Sequence, residues 1–427
     1  MAGRHTPFLR DHLAGPPHLG RDRCDDRQPL APTGRAVTVL PDASWRHRPG
    51  LDRLAAALGA DDGAARFVGG AVRDTLLGLE VADIDIATSH APTEVIARLE
   101  DARIKAIPTG LAHGTITAIV DGAPVEVTTL RRDVTTDGRH AVVAYTDDWR
   151  EDAARRDFTM NALYADPATG EIFDYFGGLD DLDARHVRFI GDPLQRIAED
   201  HLRILRFFRF HARFGAEIDA AGLSACTARA NDLMALSRER IASEVLKLLV
   251  TTGAVTVVRL MVEHGIFRAV LPEIDAAGAD RLGALAERER AADVAPDPIR
   301  RLAAVIPGAD AESVGARLKL SNADRKRLIA ATAGPGSEGP RALAYRAGPV
   351  GATDRLLLSG ADIAPIRDWS PPALPINGGA LVARGLRKGP DVAAMLRRIE
   401  TQWIAEDFPD AARLSAIADA WVVEALA

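Results

Sequence analysis

Cysteine is almost missing from this 427-residue chain, since Cys24 and Cys226 are the only two. They lie far apart, which excludes a disulfide framework and gives no support to a zinc site. No run comes near the ~20 consecutive apolar residues that a membrane-spanning helix requires, so a soluble protein with no membrane partner is expected. Residues 1–28 hold no apolar stretch of the signal-peptide kind, and Asp11, Asp22, Asp25 and Asp26 speak against an acid-poor transit peptide. The expected compartment is therefore the cytoplasm. An excess of basic residues is lacking too: the formal net charge of −7 argues against a general nucleic-acid coat, because phosphate binding relies on clustered Lys and Arg.

Arginine is nonetheless clustered. Seven arginines fall within 185–213, and Arg131, Arg132, Arg150, Arg155 and Arg156 shortly precede them, so a polyanion would be met locally. The length implies about two to four domains. Residues 1–35, rich in Pro, Gly, His and Arg without an apolar period, are expected to form a disordered tail. Residues 36–178 mix helical patterns such as LDRLAAAL with the strand-like DIDIAT, TITAIV and PVEVTTL, which predicts an α+β head around a small sheet. Amphipathic helical patterns then take over, dividing into a neck at 179–250 and a body and tail at 251–427. Gly/Pro-rich stretches at 333–342 and 370–379 read as loops, and no internal repeat is visible.

The most informative stretch is FVGGAVRDTLLGLEVADIDIAT, 67–88. On a strand, Asp83 and Asp85 project to one side while Ile84 and Ile86 turn into the packed face. Two carboxylates forced together are costly unless a cation lies between them, and hard oxygen ligands with few protein contacts suit Mg2+ held jointly with substrate phosphates. A third carboxylate from a neighbouring strand completes such a site, and Glu126 of PVEVTTL is the natural candidate. Gly69 and Gly70 let backbone N–H groups approach a phosphate, with Arg73 placed to pair with it. Together these residues describe a nucleoside triphosphate site.

The whole string resembles the signature of nucleotidyltransferases related to DNA polymerase beta, in the branch holding the CCA-adding tRNA nucleotidyltransferases and bacterial poly(A) polymerases. Further motifs follow in order. PTGLAHGTITAIV (108–120) resembles the segment carrying the flexible loop of CCA-adding enzymes, RRDFTMNALYAD (155–166) the RRDFT motif, and FDYFGGLDDLDARHVRFIG (173–191) the head-to-neck connection. EDHLRILRFFRF (199–210) is similar to the neck motif EDxxRxxRxxRF, and residues 375–400 weakly resemble the C-terminal tail. The implied fold is α+β, a small mixed-sheet nucleotidyltransferase head followed by an all-helical neck, body and tail.

Read as one helix, the neck motif winds Asp200, Arg203, Arg206 and Arg209 along one polar arc and puts Ile204, Leu205, Phe207 and Phe208 on the other side. A carboxylate that only accepts, beside a guanidinium that only donates, reads a base edge with an amino group next to a ring nitrogen. Cytosine and adenine offer that edge; uracil and guanine do not. The resemblance implies that Asp200 and Arg203 select CTP and then ATP, with Arg206 and Arg209 securing the pocket and the triphosphate. It also implies two-metal transfer, with one Mg2+ on Asp83, Asp85 and Glu126 and a second on Asp83 and Asp85. Gly70, Arg73 and Arg156 then hold phosphates or ribose, and Asp157 orients Arg156 or the ribose hydroxyls. The expected partners are CTP, ATP and the acceptor and T-arm of tRNA, the RNA lying along a surface that includes Arg238, Arg240, Lys247, Arg384, Arg387 and Lys388. Poly(A) synthesis, CC-only or A-only addition, and an inactive RNA-binding scaffold remain as rivals. None of the eleven histidines precedes an aspartate, so the phosphohydrolase activity of some relatives is not expected.

Overall fold

The computed structural model describes residues 39–136 and 141–427. The tail expected at 1–35 lies outside them. Nine strands occupy the N-terminal part of the chain: β1 Ala65–Val68, β2 Asp85–Thr88, β3 Lys105–Gly110, β4 Thr115–Val120, β5 Ala123–Thr129, β6 Arg131–Thr136, β7 Ala141–Tyr145, β8 Leu163–Ala165 and β9 Ile172–Asp174. Seven of them form one mixed sheet in the order β3-β4-β5-β2-β1-β8-β9, while β6 and β7 pair by themselves. Only β2 and β5 run parallel in the large sheet; its other neighbours are antiparallel. The 108–120 segment is a β3–β4 hairpin, turned by Gly114 at φ +77°.

Alternation explains which face is which. Ile116, Ala118 and Val120 of β4 and Val125 and Val127 of β5 are buried, as are Ile84 and Ile86 beside them. Their neighbours in sequence, Thr117, Glu126 and Asp85, stand on the opposite face. Helices α1 Leu51–Ala57, α2 Gly70–Leu76 and α3 Pro92–Asp101 belong to this region, followed by α4 Trp149–Ala154 and α5 Gly178–Asp183.

After Asp174 no further strand occurs among the described residues. The neck comprises α6 Pro193–Glu199, α7 Arg203–Phe214, α8 Ala220–Ala228 and α9 Arg238–Leu249. Asp192 caps α6 by accepting from the Leu194 N–H, with Pro193 as the first helical residue. The neck motif, read as one helix over 199–210, is instead divided between the end of α6 and the start of α7. Asp200 is extended (φ −150°, ψ 107°), and its own carboxylate takes the Leu202 N–H at 3.1 Å. Such local side-chain bonding is how Asp competes with a continuous helix.

The apolar side of α7 welds the neck to the head. Phe207 stacks on Phe189 (centroids 5.4 Å, 14° between planes) and Phe210 lies 5.1 Å from Phe158. A fully buried Phe contributes about 2–3 kcal/mol through area alone, so this seam is a principal attachment. Gly222 lets α8 approach it, because a Cβ there would come within 2.8 Å of the Phe207 ring.

The remaining helices are α10 Ala254–Glu263, α11 Ala276–Ala291, α12 Pro298–Val305, α13 Ala311–Arg317, α14 Asn322–Thr332, α15 Pro340–Ser359, α16 Gly378–Ala383, α17 Pro390–Ala405 and α18 Ala411–Leu426. Gly348 (φ +74°) followed by Pro349 breaks α15 into two. One apolar core runs from Leu40 through head and neck to Ala331, and a separate one, around Ile399, Trp403 and Ile417, sits in the C-terminal helices. Among the described residues no helix is long and apolar enough to cross a membrane.

Candidate active site

The sheet register assembles the centre. Asp85 is the direct partner of Glu126 across the parallel β2–β5 pair. On the same face, Ala87 lies opposite Arg66, and Tyr164 lies opposite both Val68 and Phe173. Side chains two apart on a strand share a face, so Glu126, Asp85, Val68 and Tyr164 all point one way. Asp83 precedes β2 and is exposed, as is Glu126. Burial first, then the charges of Glu126 and Asp83, push the Asp85 carboxyl up to about 6, while Arg156 pulls it down. The three carboxylates therefore feel one another. They do not converge into a closed ligand set: among the described residues no three His, Cys, Asp or Glu side chains are grouped so as to hold one ion.

Beside them runs the glycine turn. Gly69 adopts φ +68°, ψ −121°, which an L side chain would resist, and Gly70 opens α2. Arg73 lies beside this turn, its Nη2 3.8 Å from where a Gly70 Cβ would stand, but its guanidinium is already paired within the protein. Its Nε donates to Asp74 (2.7 Å) and Nη1 to Asn161 (2.6 Å), and its guanidinium lies 4.4 Å from the Phe214 ring. Only 6% of it is exposed, and burial depresses its pKa.

The RRDFT motif leaves α4 as a turn that spreads its charges in different directions. Arg156 Nε donates to the Tyr164 hydroxyl (3.2 Å) and Nη2 to Asp152 (3.1 Å), while Nη1 lies 3.6 Å from where a Gly69 Cβ would stand. Asp157 does not orient Arg156. Its carboxylate accepts from the Phe158 N–H (2.8 Å), Asn161 (3.0 Å) and Arg206 Nε (2.7 Å), tying the head to α7. Burial would raise its pKa, but Arg206 and Asn161 prevail and hold it at about 2.

Arg203, Arg206 and Arg209 follow one another at three-residue steps on α7, with Asp200 just before it, and each has its own partner. Asp200 Oδ2 accepts from Arg240 of α9 at 2.8 Å. Arg203 donates to Glu199 (2.6 Å) and to the carbonyls of Arg196 (2.8 Å) and Arg155 (2.7 Å). Arg206 holds Asp157, and Arg209 donates to Glu244 at 2.6 Å. All four charges are anchored by partners outside α7 and its cap. Of the outlying cations, Arg384 is bonded to Asp419 (2.7 Å) and Ser415 (2.8 Å).

The family described as "Poly A polymerase head domain" matches residues 65–188, and that described as "Probable RNA and SrmB- binding site of polymerase A" matches 215–277. The mouse (Mus musculus) protein "CCA tRNA nucleotidyltransferase 1, mitochondrial" is 34% identical over 377 residues, covering 83% of this chain and 86% of the mouse protein. The chain belongs to the CCA tRNA nucleotidyltransferase family. The Bacillus stearothermophilus CCA-adding enzyme, solved with CTP, is similar at a TM-score of 0.68 and 29% identity, over 84% of this chain and 94% of that one. The Thermotoga maritima CCA-adding enzyme solved with tRNA_CCA shares the fold at a TM-score of 0.64 and 20% identity, over 88% and 95% of the two chains. Catalysis in this CCA tRNA nucleotidyltransferase family is nucleotidyl transfer, generally metal-dependent.

Sequence reasoning missed the partners that hold the site together: Asp74, Asp152, Asn161, Tyr164, Arg240 and Glu244. Asp152 stands four residues before Arg156, the spacing of an i,i+4 pair, which was a usable signal. Arg240 and Glu244 are at least thirty-five residues from their partners, and no local pattern marks them.

Proposed function

We propose that this chain adds CMP, CMP and AMP in turn to the 3′ end of tRNA, from CTP and ATP, without a nucleic-acid template. The observation that carries the reading is Asp85 facing Glu126 beside the Gly69–Gly70 turn, in a member of this family whose fold resembles the CTP-bound enzyme. We take 36–178 as the head, 179–250 as the neck and 251–427 as the body and tail, with the acceptor and T-arm of tRNA gripped by shape and backbone charge along the helices.

Asp83, Asp85 and Glu126 offer only hard oxygen donors; burial first and then the charges of Glu126 and Asp83 lift Asp85 to about 6, and a divalent cation would offset both. The donor set fits Mg2+, held by Asp83 and Asp85 with Glu126 adjoining. When bound, Mg2+ lowers the pKa of the RNA 3′ hydroxyl and offsets charge on the departing pyrophosphate. The chain's own residues position the reactants. Gly69 and Gly70 allow close approach of the phosphates, and Arg156 meets them. Arg73 acts from behind, stiffening the turn through Asp74 and Asn161. Asp200 accepts from the exocyclic amino group of cytosine or adenine, while Arg203, already fixed by three acceptors, supplies the neighbouring donor. Arg206 and Arg209, anchored on Asp157 and Glu244, line the same side of α7.

For the compartment we propose the cytoplasm, on the acidic residues within 11–26; recovery of the protein with organelles, as the mouse relative's name has it, would refute that. The activity is tested with tRNA transcripts ending before CCA, after C and after CC, each offered labelled triphosphates singly and in pairs. Two C and one A followed by a stop is the expected result. The name of the matching head family keeps poly(A) synthesis as the second reading, and an A ladder would establish it. Incorporation of C alone or A alone would identify a partial enzyme, and none at all a scaffold.

A further inference from the structure

Arg156 has three nitrogens, and two are committed. Nε donates to the Tyr164 hydroxyl at 3.2 Å and Nη2 to Asp152 Oδ2 at 3.1 Å. Tyr164 in turn donates to that same Oδ2 at 2.7 Å, closing a three-membered ring of hydrogen bonds. Among the described residues Nη1 has no such bond, and it is the nitrogen beside Gly69. Asp152 is 1% exposed and Tyr164 is fully buried. The other carboxylate oxygen of Asp152 is also engaged, accepting from Arg155 Nε (2.9 Å) and the Arg131 N–H (3.3 Å). Asp152 therefore has no freedom to turn away. Nor has Tyr164, whose ring is held edge-on by Trp149 (5.4 Å) and Tyr175 (6.1 Å). Burial of a guanidinium opposes its charge, yet Tyr164 and Asp152 keep Arg156 protonated throughout the working pH range.

The direction of the guanidinium follows. Tyr164 shares the sheet face that carries Asp85 and Glu126, so a group bonded to its hydroxyl lies over that face, and the Arg156 charge is felt by Asp85. We infer that Asp152 and Tyr164 are a positioning pair that clamps Arg156 with Nη1 presented at the Gly69 turn, where it meets a phosphate oxygen of the incoming nucleotide. A guanidinium held at Nε and at one N–H of Nη2 has its plane fixed, so both Nη1 N–H groups keep a set direction and a long flexible side chain becomes a directed donor. Neither Asp152 nor Tyr164 touches the nucleotide. The clamp should act equally on CTP and ATP, because the phosphates are common to both. This rests on the nucleotidyl-transfer reading above.

The test is Tyr164→Phe, which keeps the ring and its packing and removes only the hydroxyl. Steady-state transfer is measured with CTP and with ATP, alone and in an Arg156→Ala background, together with the melting temperature. The clamp predicts a KM raised about 5–10-fold for both nucleotides, the size of one ordinary net hydrogen bond, with kcat within about twofold. In the Arg156→Ala background the same change should have no further effect. A purely packing role would leave KM unmoved, or shift it equally in both backgrounds, and either result overturns the clamp. If Arg156→Ala raises KM while Tyr164→Phe is silent, the clamp alone fails. If Arg156→Ala leaves KM unchanged, the assignment of Arg156 to the nucleotide fails and the clamp with it.

Discussion

Single residues at this centre pull stability and activity in opposite directions. Asp85 is a half-buried carboxylate facing Glu126, with its pKa lifted to about 6, so at neutral pH its charge works against the fold. Asp85→Asn should abolish nucleotide transfer and, without added metal, stabilise the protein at pH 8 by about 1–2 kcal/mol. Paired melting curves and transfer assays check this; an unchanged or lowered melting temperature would contradict it. Asp157 has the opposite sign. Its folded pKa of about 2 lies below the ordinary 3.8, so the unfolded chain binds more protons between these values. Its stabilisation, about 2 kcal/mol, is complete above pH 4 and lost as the pH falls from about 4 to about 2. Acid unfolding of Asp157→Asn should show a shallower pH slope in that window than the parent protein.

At the scale of elements, α7 both joins head to neck and presents Arg203, one of the two residues proposed to read the base. Phe207→Ala removes a buried ring stacked on Phe189 and should cost about 3–5 kcal/mol by urea unfolding. Nucleotide selection should change little while the protein remains folded, since Phe207 faces away from Asp200 and Arg206. The apolar face of α7 was legible in the sequence because Ile204, Leu205, Phe207 and Phe208 recur with helical spacing. TITAIV, PVEVTTL and the last four residues of DIDIAT were legible as strands for the same reason at period two, and with them the facing of Asp85 and Glu126, whereas Asp83 stands before the strand rather than in it. What failed was polar detail. A helical period cannot reveal that Asp200 would bond its own following backbone and split the helix. Nor can it show that Arg73 would be claimed by Asp74 and Asn161, the latter eighty-eight residues away. Apolar periodicity is a local property, whereas the choice of partner for an arginine is made in three dimensions.

Over the whole molecule, one large apolar core and three smaller clusters among the described residues imply more than one level of cohesion. The main core extends from Leu40 to Ala331, while Ile399, Trp403 and Ile417 belong to a smaller one in the C-terminal helices. Hydrogen exchange should therefore find the amides of α17 and α18 opening at lower free energy than those of β1, β2 and β5. Uniform protection across both sets would show instead that the chain unfolds as one unit. The parallel pairing of β2 with β5 has a consequence in time. Parallel neighbours cannot be joined by a tight turn, and here the crossover contains α3 and the β3–β4 hairpin. Asp85 thus leaves the ribosome well ahead of Glu126. During synthesis β2 can pair with β1 early, and the repulsion between Asp85 and Glu126 is added only when β5 docks, after α3 and the hairpin already have their own contacts. The last strand to enter the centre of the sheet is the one that charges it.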